Sequence, residues 1–324
     1  MSADPAALAE ALRAHPAIRG KLAIRGALEG LSLGASSTGQ PGDDAAILPR
    51  PGGYDLLAGE GFIPAFVRDD PWFAGWCGVM VNLSDIAAMG GRPTALVNQV
   101  WAPSEVEAQP LLKGLRDAAS AYDVPIVGGH TNFHAPDLGL AVSVMGRASR
   151  VITSTDASPG DHLVLAVDHR GTYQNFDNFC AALEVPTGRL AGDLDILPAA
   201  AEAGLVSAGK DISQGGIAGT ALMLAESAGV GLDLDLGRIA PPDGVALERW
   251  LRTFPSFGFL LSVAPEAVPA VLARFTARDI WASAIGRVTE GSAVRFLAGG
   301  ATAEFWDYSV APYLGLAPEG LVDA

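Results

Sequence analysis

The segment from Pro71 to Met89 constrains the fold more than any other part of this chain, because it is almost entirely apolar yet carries Asn82 and Asp85. Its first proline suits the opening turn of a helix, and the Gly-Gly-Arg-Pro run that follows ends one. A helix this apolar must be buried, and a buried carboxylate without a partner is costly. We therefore expect a core helix in which Asp85 serves a specific purpose.

Length and composition indicate a folded protein of about two domains, since 324 residues are close to twice the ~150 of a typical domain. Hydrophobic residues make up 49%, which excludes a disordered chain. The 39 glycines and 22 prolines predict many tight turns and sites built from backbone groups. The net charge is −15 without a basic stripe, which argues against a nucleic-acid partner. A phosphate ligand would then be bound through backbone N–H groups and metal ions more than through Lys or Arg.

Cysteine usage and hydropathy bear on location. Two cysteines, Cys77 and Cys180, exclude a disulfide framework and a multi-cysteine metal centre. No uninterrupted apolar run reaches the ~18 residues of a membrane span. The first residues lack the basic and apolar regions of a signal peptide. We expect a soluble cytoplasmic protein with no membrane partner.

Hydrophobic periodicity and turn residues predict helices and strands mixed along the chain. The predicted helices span Pro5–Arg13, Ile18–Glu29, Pro71–Met89, Ser104–Tyr122, Ile217–Ala228 and Glu266–Arg278. The main predicted strands span Tyr54–Ala58, Thr94–Trp101, Val124–Val127, Leu138–Met145, His162–Val167, Gly231–Leu236, Gly258–Val263 and Ser283–Val288. A turn cluster at Ser158–Asp161 marks a boundary, so we predict two α+β domains, 1–155 and 156–324. The polar loop Gly34–Gly42 is either a linker or a mobile flap over a ligand.

Acidic residues beside small residues form the main candidate site. The set consists of Asp43, Asp44, Glu60, Asp85 and Asp211. Carboxylates are hard ligands of the kind that Mg²⁺ prefers, and neighbouring glycines let backbone N–H groups approach phosphate oxygens. The pattern favours a magnesium–phosphate site. Each acid alone is also compatible with a solvated turn or a helix cap, as Asp211 and Ser213 are before the following helix.

Motifs of several other enzyme classes are absent from the sequence. A P-loop, a Gly-x-Gly-x-x-Gly between strand and helix, a His-Glu-x-x-His and a Gly-x-Ser-x-Gly do not occur. His130 and His134 are four residues apart, but Pro136 follows them and no helix is predicted there. Two histidines without further ligands give weak support for zinc.

Four segments follow one another in a specific order: Gly42–Ala46, Val81–Gly90, Ile126–Thr131 and Asp211–Gly216. Together they resemble the aminoimidazole ribonucleotide (AIR) synthetase-like superfamily, which includes thiamine-monophosphate kinase and selenophosphate synthetase. The order and spacing match over nearly the whole chain. The resemblance implies a two-domain α+β fold, in which an N-terminal half-barrel domain forms a homodimer and the C-terminal domain is an α/β layer.

The resemblance also implies ATP and Mg²⁺ as cofactors. Asp44, Asp85 and Asp211 match the family's metal ligands, and Asp43 and Glu60 complete the predicted metal set. The predicted nucleotide contacts are Asn82, Gly128, Gly129, His130 and Ser213, with Gly129 and His130 matching a nucleotide-contacting turn. His130 is in addition the candidate catalytic residue, as a phosphate contact or a group in proton transfer.

The sequence departs from the named relatives at several functional positions. The metal-binding Thr-Asp of the kinase is Gly59-Glu60 here, and its substrate-holding His-Phe is replaced within Pro64–Phe66. The Asp of its Gly-Gly-Asp-Thr segment is His130, its nucleotide-binding Arg is Ser154, and Gln214 replaces an acid. The cysteine or selenocysteine loop of selenophosphate synthetase has no counterpart. The activity of neither relative therefore transfers directly.

Two functions follow as alternatives. The first is an ATP- and Mg-dependent enzyme of small-molecule metabolism, which transfers a phosphoryl group or phosphorylates an amide-type oxygen so that it can leave. The second is a catalytically silent, dimeric nucleotide-binding scaffold or sensor, which the departures suggest. The three retained aspartates favour the enzyme.

Overall fold

The computed structural model describes residues 4–318 of the chain. The helices are α1 (Pro5–Ala14), α2 (Pro16–Arg19), α3 (Ile24–Leu31), α4 (Pro64–Asp69), α5 (Pro71–Ala88), α6 (Glu105–Tyr122), α7 (Arg189–Leu194), α8 (Ile196–Glu202), α9 (Gly216–Ala228), α10 (Leu247–Leu251) and α11 (Val268–Thr276). The strands are β1 (Ala46–Arg50), β2 (Gly53–Gly61), β3 (Arg92–Trp101), β4 (Ile126–Asn132), β5 (Gly139–Ala148), β6 (His162–Val167), β7 (Thr172–Tyr173), β8 (Asn178–Cys180), β9 (Ala208–Asp211), β10 (Gly231–Asp235), β11 (Phe254–Pro255), β12 (Gly258–Val263), β13 (Trp281–Thr289), β14 (Ala293–Ala298) and β15 (Ala301–Asp307).

The described residues form two compact units. The first, which we call the sheet-5 unit, contains Asp44–Val151 and Ala182–Glu202. The second, the sheet-7 unit, contains the residues up to Asp43, Ile152–Ala181 and the residues from Ala203 onward. The chain passes from the sheet-5 unit to the sheet-7 unit between residues 151 and 152, near the predicted boundary at 155. The mixed α/β character and the two-domain organisation predicted from the sequence are confirmed.

The sheet-5 unit is a five-stranded sheet in the order β1-β2-β5-β3-β4 that packs on α5. Only the β3–β4 pair is parallel. The predicted core helix is confirmed: the side chains of α5 from Phe73 to its end are buried, as expected for a helix that is apolar on every face. Asp70 caps its start by accepting the N–H of Phe73 at 3.3 Å. Helices α7 and α8 belong to this unit, where Arg92 bonds Asp195 and Glu202.

The face of this sheet that is turned away from α5 exposes apolar side chains. Leu57 and Met145 lie directly opposite each other on β2 and β5, and both are exposed. Their neighbours Leu56 and Val144 point to the other face and are buried. An exposed apolar sheet face of this kind is typical of an interaction surface.

The sheet-7 unit is built on a seven-stranded sheet in the order β15-β14-β10-β13-β6-β12-β9 and a small sheet in the order β11-β8-β7. Helix α9 is buried almost throughout and ends at Gly229, whose left-handed conformation (φ +70°) permits a C-cap. Helix α1 packs against β15, so the first and last described elements share one core. The predicted helix Ile18–Glu29 is wrong as one element, because a 3₁₀ turn at Gly20–Ala23 divides α2 from α3.

One side chain of α9, that of Glu226, forms hydrogen bonds with the last described segment at residues 313–315. The Glu226 carboxylate is fully buried and accepts the backbone N–H groups of Tyr313, Leu314 and Gly315 at 2.9, 2.6 and 3.2 Å. The Tyr313 hydroxyl donates to the carbonyl of Ile18 at 2.8 Å. Glu226 thus connects this segment to the helix through charge-assisted bonds. No helix within residues 4–318 has the length and apolar character required to cross a membrane.

Candidate functional site

Helix α5 carries buried polar side chains in an otherwise apolar core. Asn82 is completely buried, and Ser84 and Asp85 nearly so. The side-chain amide of Asn82 donates to the Gly78 carbonyl at 2.8 Å, whereas its Oδ1 is buried without a hydrogen-bond partner among the described residues. Such an orphaned acceptor calls for a water, a ligand donor or an ion. The prediction that Asp85 sits within a buried helix is confirmed.

The Gly-Gly-His segment adopts a different conformation from the predicted turn. Gly128, Gly129 and His130 lie inside β4, an edge strand, and are exposed. Gly129 is opposite Asn98 of β3, and a Cβ at this position would be only 2.2 Å from the Asn98 carbonyl oxygen. The glycine is required by this close approach of two strands, so the expectation of a turn is wrong.

Two of the predicted metal ligands in the sheet-5 unit are at least partly exposed to solvent. Glu60 is exposed on β2, opposite Val142 of β5. Asp44 is half-buried in the bend that leads into β1. Their environments therefore differ from that of the buried Asp85.

The turn between β9 and α9 holds two further predicted residues of the sheet-7 unit. Asp211 is the last residue of β9 and is buried. The alternative of Asp211 or Ser213 as a helix cap is wrong, since α9 has Gly215 at its N-cap and no side-chain cap bond. Ser213 instead accepts a hydrogen bond from the Lys21 ammonium at 3.3 Å. The N–H groups of a helix start, a hydroxyl and a cation are together suited to a phosphate.

Three residues of the sheet-7 unit contact the Gly42–Asp43 turn, which belongs to the same unit. The Asp43 carboxylate accepts the backbone N–H of Ser154, and the Lys210 ammonium donates to the Gly42 carbonyl at 2.8 Å. A Cβ on Gly42 (φ +109°) would come within 2.9 Å of Leu316, so the position needs glycine both for its conformation and for space. Ser154 thus holds Asp43 through its backbone.

Lys21 and Lys210 are the residues that the sequence reasoning missed. The chain has only three lysines, and these two contact segments that the acidic pattern had singled out. The available signal was the rarity of lysine in a chain of net charge −15. One of the three lysines, Lys210, directly precedes Asp211 in the sequence.

The five predicted metal ligands divide between the two units. Asp44, Glu60 and Asp85 belong to the sheet-5 unit, whereas Asp43 and Asp211 belong to the sheet-7 unit. Within residues 4–318, no three His, Cys, Asp or Glu side chains come together as a group able to hold a metal ion. The described arrangement therefore does not itself form a metal centre, and magnesium stays a prediction.

The chain thus has two mixed α/β units, one with a buried apolar helix that carries Asn82 and Asp85, and one with a glycine turn before a buried helix. Residues 42–148 match the N-terminal domain of AIR synthase related proteins, and residues 189–298 match their C-terminal domain. The chain belongs to the AIR synthase related family.

Relatives in this family support the assignment. An uncharacterized protein of Synechocystis sp. is 46% identical over 276 residues, which cover 85% of this chain and 86% of that protein. The thiamine-monophosphate kinase of Synechococcus elongatus is 28% identical over 289 residues, which cover 79% of this chain and 86% of the kinase.

Solved structures share the fold. Thermotoga maritima PurL complexed with FGAR has a TM-score of 0.70 at 19% identity, and this chain spans about half of it: 87% of this chain matches 49% of that one. AaThiL complexed with AMPPCP and TMP has a TM-score of 0.64 at 21% identity, over 85% of this chain and 91% of that one.

Proposed function

We propose that the protein is an ATP-dependent enzyme of small-molecule metabolism, which transfers a phosphoryl group or activates an amide-type oxygen with it. The observation that carries the proposal is the β9–α9 turn, where Ser213, Lys21 and the uncapped start of α9 lie together. Family membership supports it, because a kinase relative matches 79% of this chain and the AaThiL structure contains AMPPCP.

In this proposal the sheet-7 unit contacts the nucleotide phosphates. A half-buried lysine and a hydroxyl, Lys21 and Ser213, offer donors beside the start of α9, which has no side-chain cap. Donors fixed before the ligand arrives need no reorganisation when charge develops on a transferring phosphoryl group. Positioning and electrostatics carry most of the catalysis in reactions of this type.

The proposal retains Asn82, Gly128, Gly129 and His130 of the sheet-5 unit as nucleotide contacts. The unsatisfied Oδ1 of Asn82 is an acceptor suited to a ligand donor or a bound water. His130 is exposed on an edge strand and stays the candidate for a phosphate contact or a proton transfer. We further propose a cytoplasmic homodimer that acts on a small-molecule acceptor.

Magnesium dependence is proposed from residue chemistry and family alone. Bound Mg²⁺ would supply charge neutralisation at the phosphates, and Asp44, Asp85 and Asp211 are its proposed ligands, with Asp43 and Glu60 as further candidates. Oxygen donors are appropriate for a hard cation.

Titration of ATP into the full chain, with Mg²⁺ and with EDTA, tests this proposal. Binding should require Mg²⁺, and Asp85→Asn and Asp211→Asn should each weaken it by about 1–3 kcal/mol, the scale of losing a partner of a charged group. Asp69→Asn, at an exposed surface carboxylate, is the matched control and should bind as the wild type does. Equally tight binding in EDTA would refute the metal assignment.

A silent scaffold or sensor is the second candidate, which the departures from the relatives at Glu60, His130, Ser154 and Gln214 suggest. It predicts nucleotide binding without turnover. A screen of phosphate release across small amides, amidines and phosphomonoesters separates the two: release with any acceptor supports the enzyme, and binding without release across the panel supports the sensor.

A further inference from the structure

A cluster of charged and aromatic side chains lies beside the small sheet of the sheet-7 unit, apart from the residues assigned so far. Asp177 directly precedes β8, and Arg252 stands two residues before β11. These two strands pair in parallel, with Asn178 opposite Phe254. Because parallel strands start at the same edge, the pairing brings Asp177 and Arg252 together.

Two guanidinium groups converge on one carboxylate in this cluster. Asp177 accepts Nε and Nη2 of Arg249 at 3.0 and 2.8 Å, and Nη1 of Arg252. The Arg249 guanidinium lies 3.6 Å from the centre of the Tyr173 ring, a cation–π contact. The Tyr173 hydroxyl in turn shares a 2.7 Å hydrogen bond with Thr253. The aromatic ring and the carboxylate therefore fix the plane of Arg249.

The guanidinium groups have more donors than Asp177 can satisfy. Each has five N–H groups, and three N–H-bearing nitrogens of the pair bond Asp177. Nε of Arg252 is buried and lacks a hydrogen-bond partner among residues 4–318. Asp177 itself has a left-handed backbone (φ +55°), which is uncommon outside glycine. The arginine pair therefore retains N–H donors that Asp177 does not occupy.

Neighbouring groups complete the electrostatic picture. His15 faces Arg252, Asp177 and Glu248, and burial together with Arg252 lowers its pKa. Burial alone would raise the pKa of Asp177, but the bonds from Arg249 and Arg252 outweigh it and keep that pKa below its usual value. The carboxylate thus stays charged while the histidine favours its neutral form.

The cluster adjoins the start of α9. A Cβ built on Gly216 would be 2.5 Å from Cα of Arg252, so the backbones of these two residues are in direct contact. Gly216 follows the turn in which Ser213 bonds Lys21. An anion held by the arginines would therefore lie next to the proposed phosphate contacts.

We propose that Arg249 and Arg252 recognise an anionic group, a carboxylate or a phosphate, of the acceptor substrate, with Tyr173 positioning Arg249. The role as an acceptor subsite rests on the proposed ATP-dependent function. Paired arginines favour planar or tetrahedral oxyanions, which accept two parallel N–H bonds. This predicts an anionic acceptor rather than a neutral or cationic one.

Calorimetric titration of the full chain at low salt tests the subsite without ATP. The probes are succinate and inorganic phosphate, which distinguish the two anion classes, and neutral succinamide as their control. We expect wild-type protein to bind at least one anion and not succinamide. Arg249→Gln should weaken that binding roughly 10-fold or more, the effect of losing a charge-assisted donor pair. Arg295→Gln, which removes an arginine paired with Asp233 elsewhere in the same unit, should leave it unchanged.

Two further measurements keep the outcome decisive. Arg249→Lys preserves the charge but not the planar fork, so it should weaken anion binding while the unfolding midpoint stays near that of the wild type. A separate Mg–ATP titration of Arg249→Gln should match the wild type, because the proposed phosphate contacts are other residues. Failure of every anion to bind wild-type protein, or anion binding to Arg249→Gln at wild-type affinity, would overturn the subsite. Failure of wild-type protein to bind ATP would overturn the proposed function instead.

Discussion

Replacing Glu226 by Gln should release the C-terminal segment of the sheet-7 unit. The carboxylate is fully buried and accepts three backbone N–H groups, those of Tyr313, Leu314 and Gly315. A glutamine offers a single acceptor oxygen, and its amide group would face an N–H donor with which it cannot bond. At least one charge-assisted bond is then lost and one buried N–H is left without a partner.

The size of the effect follows from these terms. A hydrogen bond to a charged group contributes about 1.5–3 kcal/mol, and an unsatisfied buried donor costs about 1–3 kcal/mol. Removing the buried charge offsets part of the loss, so we expect a destabilisation of about 2–4 kcal/mol. Leu316, which contacts Gly42, belongs to the same segment, and its packing should loosen as well.

Amide exchange and urea unfolding together measure the effect. Exchange at residues 313–315 should accelerate in Glu226→Gln, and the unfolding midpoint should fall. Glu304→Gln, at an exposed glutamate on β15, serves as the control and should change neither quantity. Wild-type exchange at residues 313–315 combined with a midpoint equal to that of the control would refute the reasoning.

Four further predictions concern pH, assembly, the loop and the substrate. Burial lowers the pKa of His169 below its unfolded value of about 6.5. The contribution of this histidine to stability is therefore present above the unfolded pKa and is lost as the pH falls through the folded pKa. Unfolding midpoints measured from pH 8 to 5 should fall less steeply in His169→Gln, and an identical slope would contradict this. The chain should be a homodimer through the exposed face that carries Met145, and Met145→Glu should give a monomer; light scattering that shows a monomeric wild type at micromolar concentration would contradict it. Amide exchange in the loop 34–42 should slow when an Mg–ATP analogue binds, because small polar residues gain little from ordering without a ligand; unchanged exchange at saturation would make it a linker. Thiamine monophosphate should be a poor substrate, because Glu60 reaches farther than Asp and a ~1 Å displacement can slow phosphoryl transfer on the order of 100-fold; turnover to thiamine diphosphate in the usual ~1–100 s⁻¹ range would refute this.

Elements with a strong local pattern could be predicted from the sequence. Helix α5 was predicted to within one residue, and strands β6 and β12 with their observed bounds. The hairpin β14–β15 was missed although Gly299 and Gly300 separate two short apolar runs, a known signal for a two-residue turn.

Features that depend on distant pairing could not be predicted in the same way. The turn at Gly129 and His130 was expected from the family resemblance, whereas pairing with β3 makes these residues part of β4. Asp177 and Arg249 are 72 residues apart, and only the parallel pairing of two very short strands brings them together. The contact between Lys21 and Ser213 likewise joins residues that are 192 positions apart in the sequence. The candidate residues could therefore be identified from the sequence, whereas their contacts with residues distant in the chain could not.

The packing of α1 on β15 also determines when this part of the core can form during synthesis of the chain. The Tyr313 hydroxyl bonds the carbonyl of Ile18 across 295 residues, so this part of the sheet-7 core cannot close until Tyr313 has been synthesised. At roughly 5–20 residues per second, the first helix waits about 15–60 seconds for its partner. The strands of the five-stranded sheet all lie between residues 46 and 148 and emerge much earlier. During that interval α1, which carries Leu8 and Leu12, lacks the strand on which it packs, so this helix depends on protection at the ribosome.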